Sequence, residues 1–441
     1  MSAFLEDVDL RVASTLTPQR RVWLTRPRTL LSGFLLLHLI FLLALLPTIA
    51  AGGTLGDLPL YRSWAEGGLT SQIWPGLDYS WVYPIGALAP ITIAALGGPA
   101  LYLLFWFLMT MLLNGGAIAA LTDWGRRTSG YAAAWWWLLL YLVLSPVALL
   151  RLEGITAPLV IIALVLLARR PVVAAALLTV ATWIKVWPAA VLLSIIAVSR
   201  HRMRVVAASV VVSLGIVAGV WALGGLGYLT GFITMQSDRA LQVEAPISTP
   251  WVWLAALGAP GSYIYQNFAI ATREVAGPGA GAAASAMTPL MLLAIAGVLT
   301  LILLAKRRST DTAHLLLLGA LALSTALVVF NKVGSPQYML WIAPIIAVGV
   351  ASNWNRWRTP AYLMLVIGVL TTLIFPIFYL PLLDGDPAAL LLLTVRNALM
   401  IAMFAWTVQR LWMLALGRVA EPVLARSHVT QGARTPARNS G

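Results

Sequence analysis

The residues whose types could do chemistry are few and far apart. Asp57 stands in the run Gly56-Asp57-Leu58-Pro59-Leu60-Tyr61-Arg62. A carboxylate held at a lipid–water interface can take a proton from a sugar hydroxyl. An Asp before a Pro-started helix is equally a good N-cap. Arg151-Leu152-Glu153 places opposite charges two residues apart between apolar runs, where charges are paired or functional. Lys185, in Thr182-Trp183-Ile184-Lys185-Val186-Trp187-Pro188, can bind a phosphate or a carboxylate, or snorkel to a surface. Arg239 precedes Gln242 and Glu244; its guanidinium can grip a phosphate bidentately or pair with Asp238 or Glu244. Asn331-Lys332-Val333-Gly334-Ser335-Pro336-Gln337-Tyr338 offers Lys332, Gln337 and Tyr338 as a polar wall, although a turn explains its Asn, Gly and Pro. Arg62, Asp78 and Tyr83 complete the candidates. Arg396, beside Asn397 in an apolar run, calls for an acidic partner on a neighbouring helix.

The chain around these residues is that of a membrane protein. Of 441 residues, 60% are hydrophobic and only 10% charged, and the mean hydropathy is +0.88. A soluble domain carries roughly 25% charged residues. Soluble enzymes, secreted modules and nucleic-acid-binding domains are therefore excluded, despite a pI near 10.6. With no cysteine, disulfides, thiolate metal sites and cysteine nucleophiles are excluded as well. No P-loop and no GxGxxG run is present, and none of the four histidines pairs with another at metal-ligand spacing. No metal ligands and no cofactor are assigned, with a divalent ion left open. The 26 Arg against 3 Lys point to a GC-rich genome.

The net charge of +14 maps onto short basic clusters between apolar runs: Arg20 to Arg28, Arg126–Arg127, Arg169–Arg170, Arg200 to Arg204, Lys306 to Arg308, Arg356 with Arg358, and the C-terminal tail. Cytoplasmic loops collect Lys and Arg. If every cluster is cytoplasmic, an even number of crossings separates neighbours, and twelve helices satisfy this. They run over about 29–51, 99–122, 132–149, 156–168, 172–184, 188–199, 205–224, 285–305, 312–330, 338–352, 361–383 and 388–416. The fourth to sixth are too short to cross about 30 Å of hydrocarbon alone, and must be extended by flanking residues or buried in the bundle. This predicts an all-α polytopic protein with a cytoplasmic segment over 1–28, a membrane domain over 29–416 and a disordered cytoplasmic tail over 417–441. The first apolar run is too long for a signal-peptide core and reads as a retained anchor.

Twenty-two of the 29 basic residues then fall inside, while nine of the 15 acids avoid that side. Two outer segments are long. Residues 52–98 contain short helices at 59–70 and 85–97, and 225–284 end in the Gly/Ala-rich stretch 276–286, which reads as flexible. Residues 331–337 join two helices on the same outer side.

In chain order these pieces resemble a known family. Gly56-Asp57 after the first span, Tyr83-Pro84, Arg151-x-Glu153 and Ile184-Lys185-Val186-Trp187-Pro188 are followed by Gln236-x-x-Arg239-x-x-Gln242-x-Glu244 and Ser335-Pro336-Gln337-Tyr338-x-x-Trp341. This order is similar to the family 87 polyprenol-phosphate-sugar glycosyltransferases of the GT-C class, whose actinobacterial members mannosylate phosphatidylinositol mannosides and lipomannan. The resemblance implies a bundle with two juxtamembrane helices in its first outer loop. It further implies a plasma-membrane enzyme transferring a sugar, mannose foremost, with inversion on the extracytoplasmic face. The donor would be a polyprenyl-phosphate sugar and the acceptor a glycolipid or lipoglycan, with no nucleic acid involved. Asp57 would be the base. Lys185, Arg239 and Lys332 are assigned to the donor phosphate, and Arg62, Asp78, Tyr83, Arg151, Glu153, Glu244, Gln337 and Tyr338 to support and acceptor binding. Gln337-Tyr338 stand where some relatives of the class carry a His pair, so no histidine role transfers. An arabinofuranose transferase, or a lipid or sugar transporter or flippase without transferase activity, is the alternative.

Overall fold

The structure, a computed structural model, describes residues 17–235, 239–268 and 272–418. Asp238, residues 1–16 and the tail from 419 onward lie outside the described residues, and with them most of what the sequence predicts for the two ends. Each of the twelve expected segments contains a helix. Seven are long and apolar enough to cross a membrane: Pro27–Ala50, Pro99–Leu121, Arg202–Ala222, Ala280–Lys306, Thr312–Val329, Trp354–Ile377 and Pro387–Ala415. The protein is therefore a multi-pass membrane protein.

Proline and short polar caps set many of the helix starts. Pro27, Pro171, Pro188 and Pro387 occupy first-turn positions, where the missing N–H costs nothing. Asp311, Asn353 and Asp386 accept hydrogen bonds from the backbone N–H groups of His314, Arg356 and Ala389. Asp384-Gly385-Asp386 thus shapes a turn and opens the last helix.

Two of the short helices lie at the centre of the bundle. Ten of the 14 residues of Glu153–Leu166 are buried, and 12 of the 14 of Met339–Ser352, against two of 21 in Arg202–Ala222. Between helices in lipid, close packing and buried hydrogen bonds replace the hydrophobic drive. Gly349 shows the first: a Cβ there would sit 2.1 Å from the Trp357 ring. His38 shows the second. Its Nδ1 donates to the Phe34 carbonyl (2.8 Å), and its Nε2 accepts from Asn114 Nδ2 (3.3 Å). Asn114 Oδ1 in turn accepts from Trp137 Nε1, joining three helices.

Three expectations need correction. The Gly/Ala-rich stretch 276–286 is ordered: it completes a strand and then enters the helix Ala280–Lys306, since alanine is the best helix former. The expected helix 361–383 starts earlier, at Trp354, and breaks around Pro376, whose ring cannot donate an N–H. The fold is also not purely helical. The second long loop carries a three-stranded antiparallel sheet, β1 (Leu241–Gln242), β2 (Tyr263–Asn267) and β3 (Thr272–Ala276), in the order β1-β3-β2.

The loop segments meet at one end of the bundle. Gln242 N donates to the Lys332 carbonyl (3.0 Å), and a Cβ on Gly225 would strike Leu77. The basic segments meet at the other end, where Asp123 pairs with Arg169 (3.7 Å), Asp311 with Arg356 (2.5 Å), and Arg127 donates to the Ala351 carbonyl (3.0 Å).

Candidate functional site

Asp57 sits at the N-cap position of the helix Leu58–Ser71 but makes no capping hydrogen bond. Gly56, in the left-handed region at φ +65°, turns the chain so that the carboxylate leaves its own helix. Its Oδ2 takes both partners, the Arg151 guanidinium and the Tyr61 hydroxyl (3.3 Å). Oδ1 has no hydrogen bond among the described residues, and about a quarter of the Asp57 side chain stays exposed. The capping alternative is thereby replaced by a charged pairing that leaves one oxygen open.

Glu153, two residues beyond Arg151, is 1% exposed at the start of the central helix Glu153–Leu166. Its Oε1 receives Lys185 Nζ (3.4 Å) and Trp341 Nε1 (3.3 Å), while Oε2 is buried with no partner. Lys185 stands in extended backbone between the helices Pro171–Ile184 and Pro188–Val198. Its ammonium also lies 4.2 Å from the centre of the Tyr83 ring. Tyr83 joins Tyr61, Trp64 and Trp81 in an aromatic cluster with edge-on and stacked contacts of 5.2–6.1 Å. Burial, with the Glu153 charge nearby, pushes the Tyr83 phenol up to about 12, so it remains a neutral hydroxyl.

Arg239 acts electrostatically on Tyr83, Tyr338 and Lys185, and its buried Nε has no hydrogen-bond partner. The segment 331–338 closes the other side. A Cβ on Gly334 would lie 2.3 Å from the Ala245 backbone nitrogen, so only glycine allows this approach. Lys332 is buried, Gln337 Oε1 is buried without a partner, and Tyr338 stacks on Trp341 at 3.9 Å.

Glu244 fixes the second loop to the last helix. Arg396 Nη2 donates to the Glu244 carbonyl (2.9 Å) and lies 3.9 Å from its carboxylate; Asn397 Nδ2 donates to Thr249 Oγ1 (2.8 Å). Burial raises the Glu244 carboxyl to about 7, against the opposing pull of Arg396 and Arg151. The acid that Arg396 requires is thus supplied by a loop.

Asp57, Arg151, Glu153, Lys185, Tyr83, Arg239, Glu244, Gln337 and Tyr338 come together, with the backbone of Lys332 alongside. Arg62 and Asp78 take structural positions instead. Arg62 donates to the carbonyls of Gly52 (2.9 Å) and Pro99 (3.3 Å), and Asp78 accepts from Trp74 N (2.6 Å). Sequence reasoning assigned no site role to Tyr61 or Trp341, and did not find that Arg396 anchors the loop. Tyr61 lies one helical turn after Asp57, which is the available signal. Nothing local marks Trp341, 188 residues from Glu153. Among the described residues no three His, Cys, Asp or Glu side chains group to hold a metal ion.

Five cations, Arg151, Lys185, Arg239, Lys332 and Arg396, belong to this end of the bundle with three carboxylates, Asp57, Glu153 and Glu244. The surplus positive charge and the unpartnered polar atoms suit an anionic, hydroxyl-bearing ligand beside aromatic rings. Such an arrangement defines a membrane protein with a polar site at one end of its bundle.

Residues 81–288 match the model of Glycosyltransferase family 87, the family that the sequence motifs resemble. That match covers a little under half of a chain that has seven membrane-crossing helices. Two solved structures are similar to the chain, both of ArnT from Cupriavidus metallidurans. The one bound to undecaprenyl phosphate shares 15% identity, with 88% of this chain and 78% of that chain covered and a TM-score of 0.42. The apo structure shares 15% identity over 86% and 77%, with a TM-score of 0.41. No curated protein matches.

Proposed function

We propose that the protein transfers a sugar, most simply mannose, from a polyprenyl-phosphate donor to a glycolipid or lipoglycan acceptor on the extracytoplasmic face of the plasma membrane. The single observation that carries this reading is the Asp57 carboxylate. Arg151 and Tyr61 hold its Oδ2, while Oδ1 is left for an acceptor hydroxyl. The positive-inside count supports the face, since the charged site lies at the end away from the basic clusters.

In the proposed reaction the acceptor hydroxyl gives its proton to Asp57 as its oxygen attacks the anomeric carbon. The bond from that carbon to the phosphate oxygen breaks, and polyprenyl phosphate leaves with the electron pair. One displacement inverts the anomeric centre. Lys185, Arg239 and Lys332 face the charge growing on the phosphate, where fixed cations act most strongly. Tyr83 and the neighbouring tryptophans offer flat surfaces to the sugar. No nucleotide enters, because phosphate is the leaving group.

The test uses purified protein in nanodiscs with polyprenyl-phosphate mannose or polyprenyl-phosphate arabinofuranose and a lipid-linked acceptor, the lipids being read by mass spectrometry. A mass gain of one hexose on the acceptor is expected. Gain of a pentose alone moves the donor assignment to arabinofuranose. Donor crossing the bilayer with no glycosylated product contradicts the enzyme reading.

A further inference from the structure

The basic end of the bundle has a hollow of its own. Trp23, Arg26, Arg28, Ser32, Leu36 and Trp135 are among the residues lining a cavity of about 420 Å³. The short helix Pro18–Leu24 forms its rim and buries none of its residues. Trp23 is 54% and Val22 57% exposed there, next to arginines. In water this exposure would be unfavourable, whereas a headgroup layer accepts both the rings and the charges.

The hollow is built by specific contacts. Trp135 Nε1 donates to the Leu24 carbonyl (2.9 Å), which fixes the ring against the turn between the first two helices. The same ring lies flush on the first long helix because residue 33 is glycine: a Cβ there would be 2.4 Å from it. Arg26 and Arg28 stand at the mouth and make no ion pair with a described residue. Below them Ser32 and Leu36 continue down the same helix, so the hollow passes from two guanidiniums to apolar side chains over a helix that rises about 1.5 Å per residue.

We propose that this hollow binds an anionic glycerophospholipid of the leaflet at the basic end, its phosphate between Arg26 and Arg28 and its acyl chain along Leu36. Guanidinium forks match phosphate oxygens, and basic pockets beside membrane helices hold anionic headgroups. A free phosphate ester would leave the Trp135–Leu36 side unused. The site is separate from the charged cluster at the opposite end and does not depend on the reaction proposed there.

Native mass spectrometry of the detergent-purified protein tests it, with phosphatidylglycerol, phosphatidylcholine and glycerol 3-phosphate offered in parallel. Retained phosphatidylglycerol is expected, in excess over the other two. The double variant R26Q/R28Q should weaken that retention roughly thirty-fold. R307Q/R308Q, which removes as much charge from another basic cluster, should leave it near wild type. Phosphatidylglycerol should raise the melting temperature of wild type and of R307Q/R308Q but not of R26Q/R28Q, whose lipid-free melting temperature stays unchanged because both side chains are exposed. Equal losses in the two double variants would mean diffuse charge attraction, and glycerol 3-phosphate binding as tightly as the lipid would mean an anion site without an acyl channel. Either result overturns the proposal.

Discussion

The two ends of the bundle treat charge in opposite ways. At the basic end Arg169 leaves 79% of its side chain exposed in its pair with Asp123, and Arg356 and Asp311 are both partly open. At the other end Glu153 and Arg396 are 1% exposed and Glu244 2%. A solvated ion pair contributes about 0–1 kcal/mol, so the basic end is built for orientation and surface contact. A desolvated pair costs several kcal/mol per ion unless its geometry is good. A chain that keeps five cations and three carboxylates together there, with polar atoms still unpartnered among the described residues, fits the anionic donor proposed for that end.

That contrast can be broken most forcefully at Lys185. Lys185→Ala leaves the Glu153 carboxylate buried and unpaired, and should cost about 3–5 kcal/mol of stability, read as a lowered melting temperature in detergent. Lys185→Met combined with Glu153→Gln should recover most of that stability while the KM for the polyprenyl-phosphate donor stays high. Recovery of both would make the pair purely structural.

Glu244 sharpens the comparison through pH. Its folded pKa of about 7 lies above the ordinary value of 4.5, so the folded protein holds more protons than the unfolded one between these limits. The contribution to stability is full below pH 4.5 and is lost as pH rises through 7, by up to about 3 kcal/mol. Melting temperature against pH should fall across this window in wild type and run flat in Glu244→Gln. A flat wild-type profile would show that the carboxyl is not raised.

Gly334→Ala should cost about 1–3 kcal/mol, because the new methyl meets the Ala245 backbone and the 331–338 wall must shift. Donor KM should rise with it. The smallest effect belongs to the basic end: Arg356→Gln should change stability by less than about 1 kcal/mol and leave turnover as in wild type. A large loss there would remove the distinction between the ends.

Much of this was legible in the chain. The helical, multi-pass character followed from apolar run length, because it is written locally, and seven of the expected segments hold helices long enough to cross a membrane. The meeting of residues near 57, 151, 185, 239 and 335 followed from loops that parity put on one side. The sheet in the second loop was not legible, since β1 is two residues long and its ladder partner β3 lies more than 30 residues away. Nor was the Trp341–Glu153 hydrogen bond, or the descent of Arg396 onto a loop carboxylate, because each depends on how helices distant in sequence pack. Asp57 could be read as a base or as a cap, and the sequence could not show that its side chain makes no capping hydrogen bond.

Asp57→Asn tests the central claim most directly, measured as single-turnover transfer from polyprenyl-phosphate mannose in nanodiscs, with donor binding measured alongside. The amide keeps the size and the cap-forming ability of the side chain but cannot take a proton. A general base contributes typically 10²–10⁴-fold, so transfer should fall by that order while donor binding and melting temperature stay close to wild type. An Asp57→Asn enzyme that transfers at the wild-type rate would contradict the account.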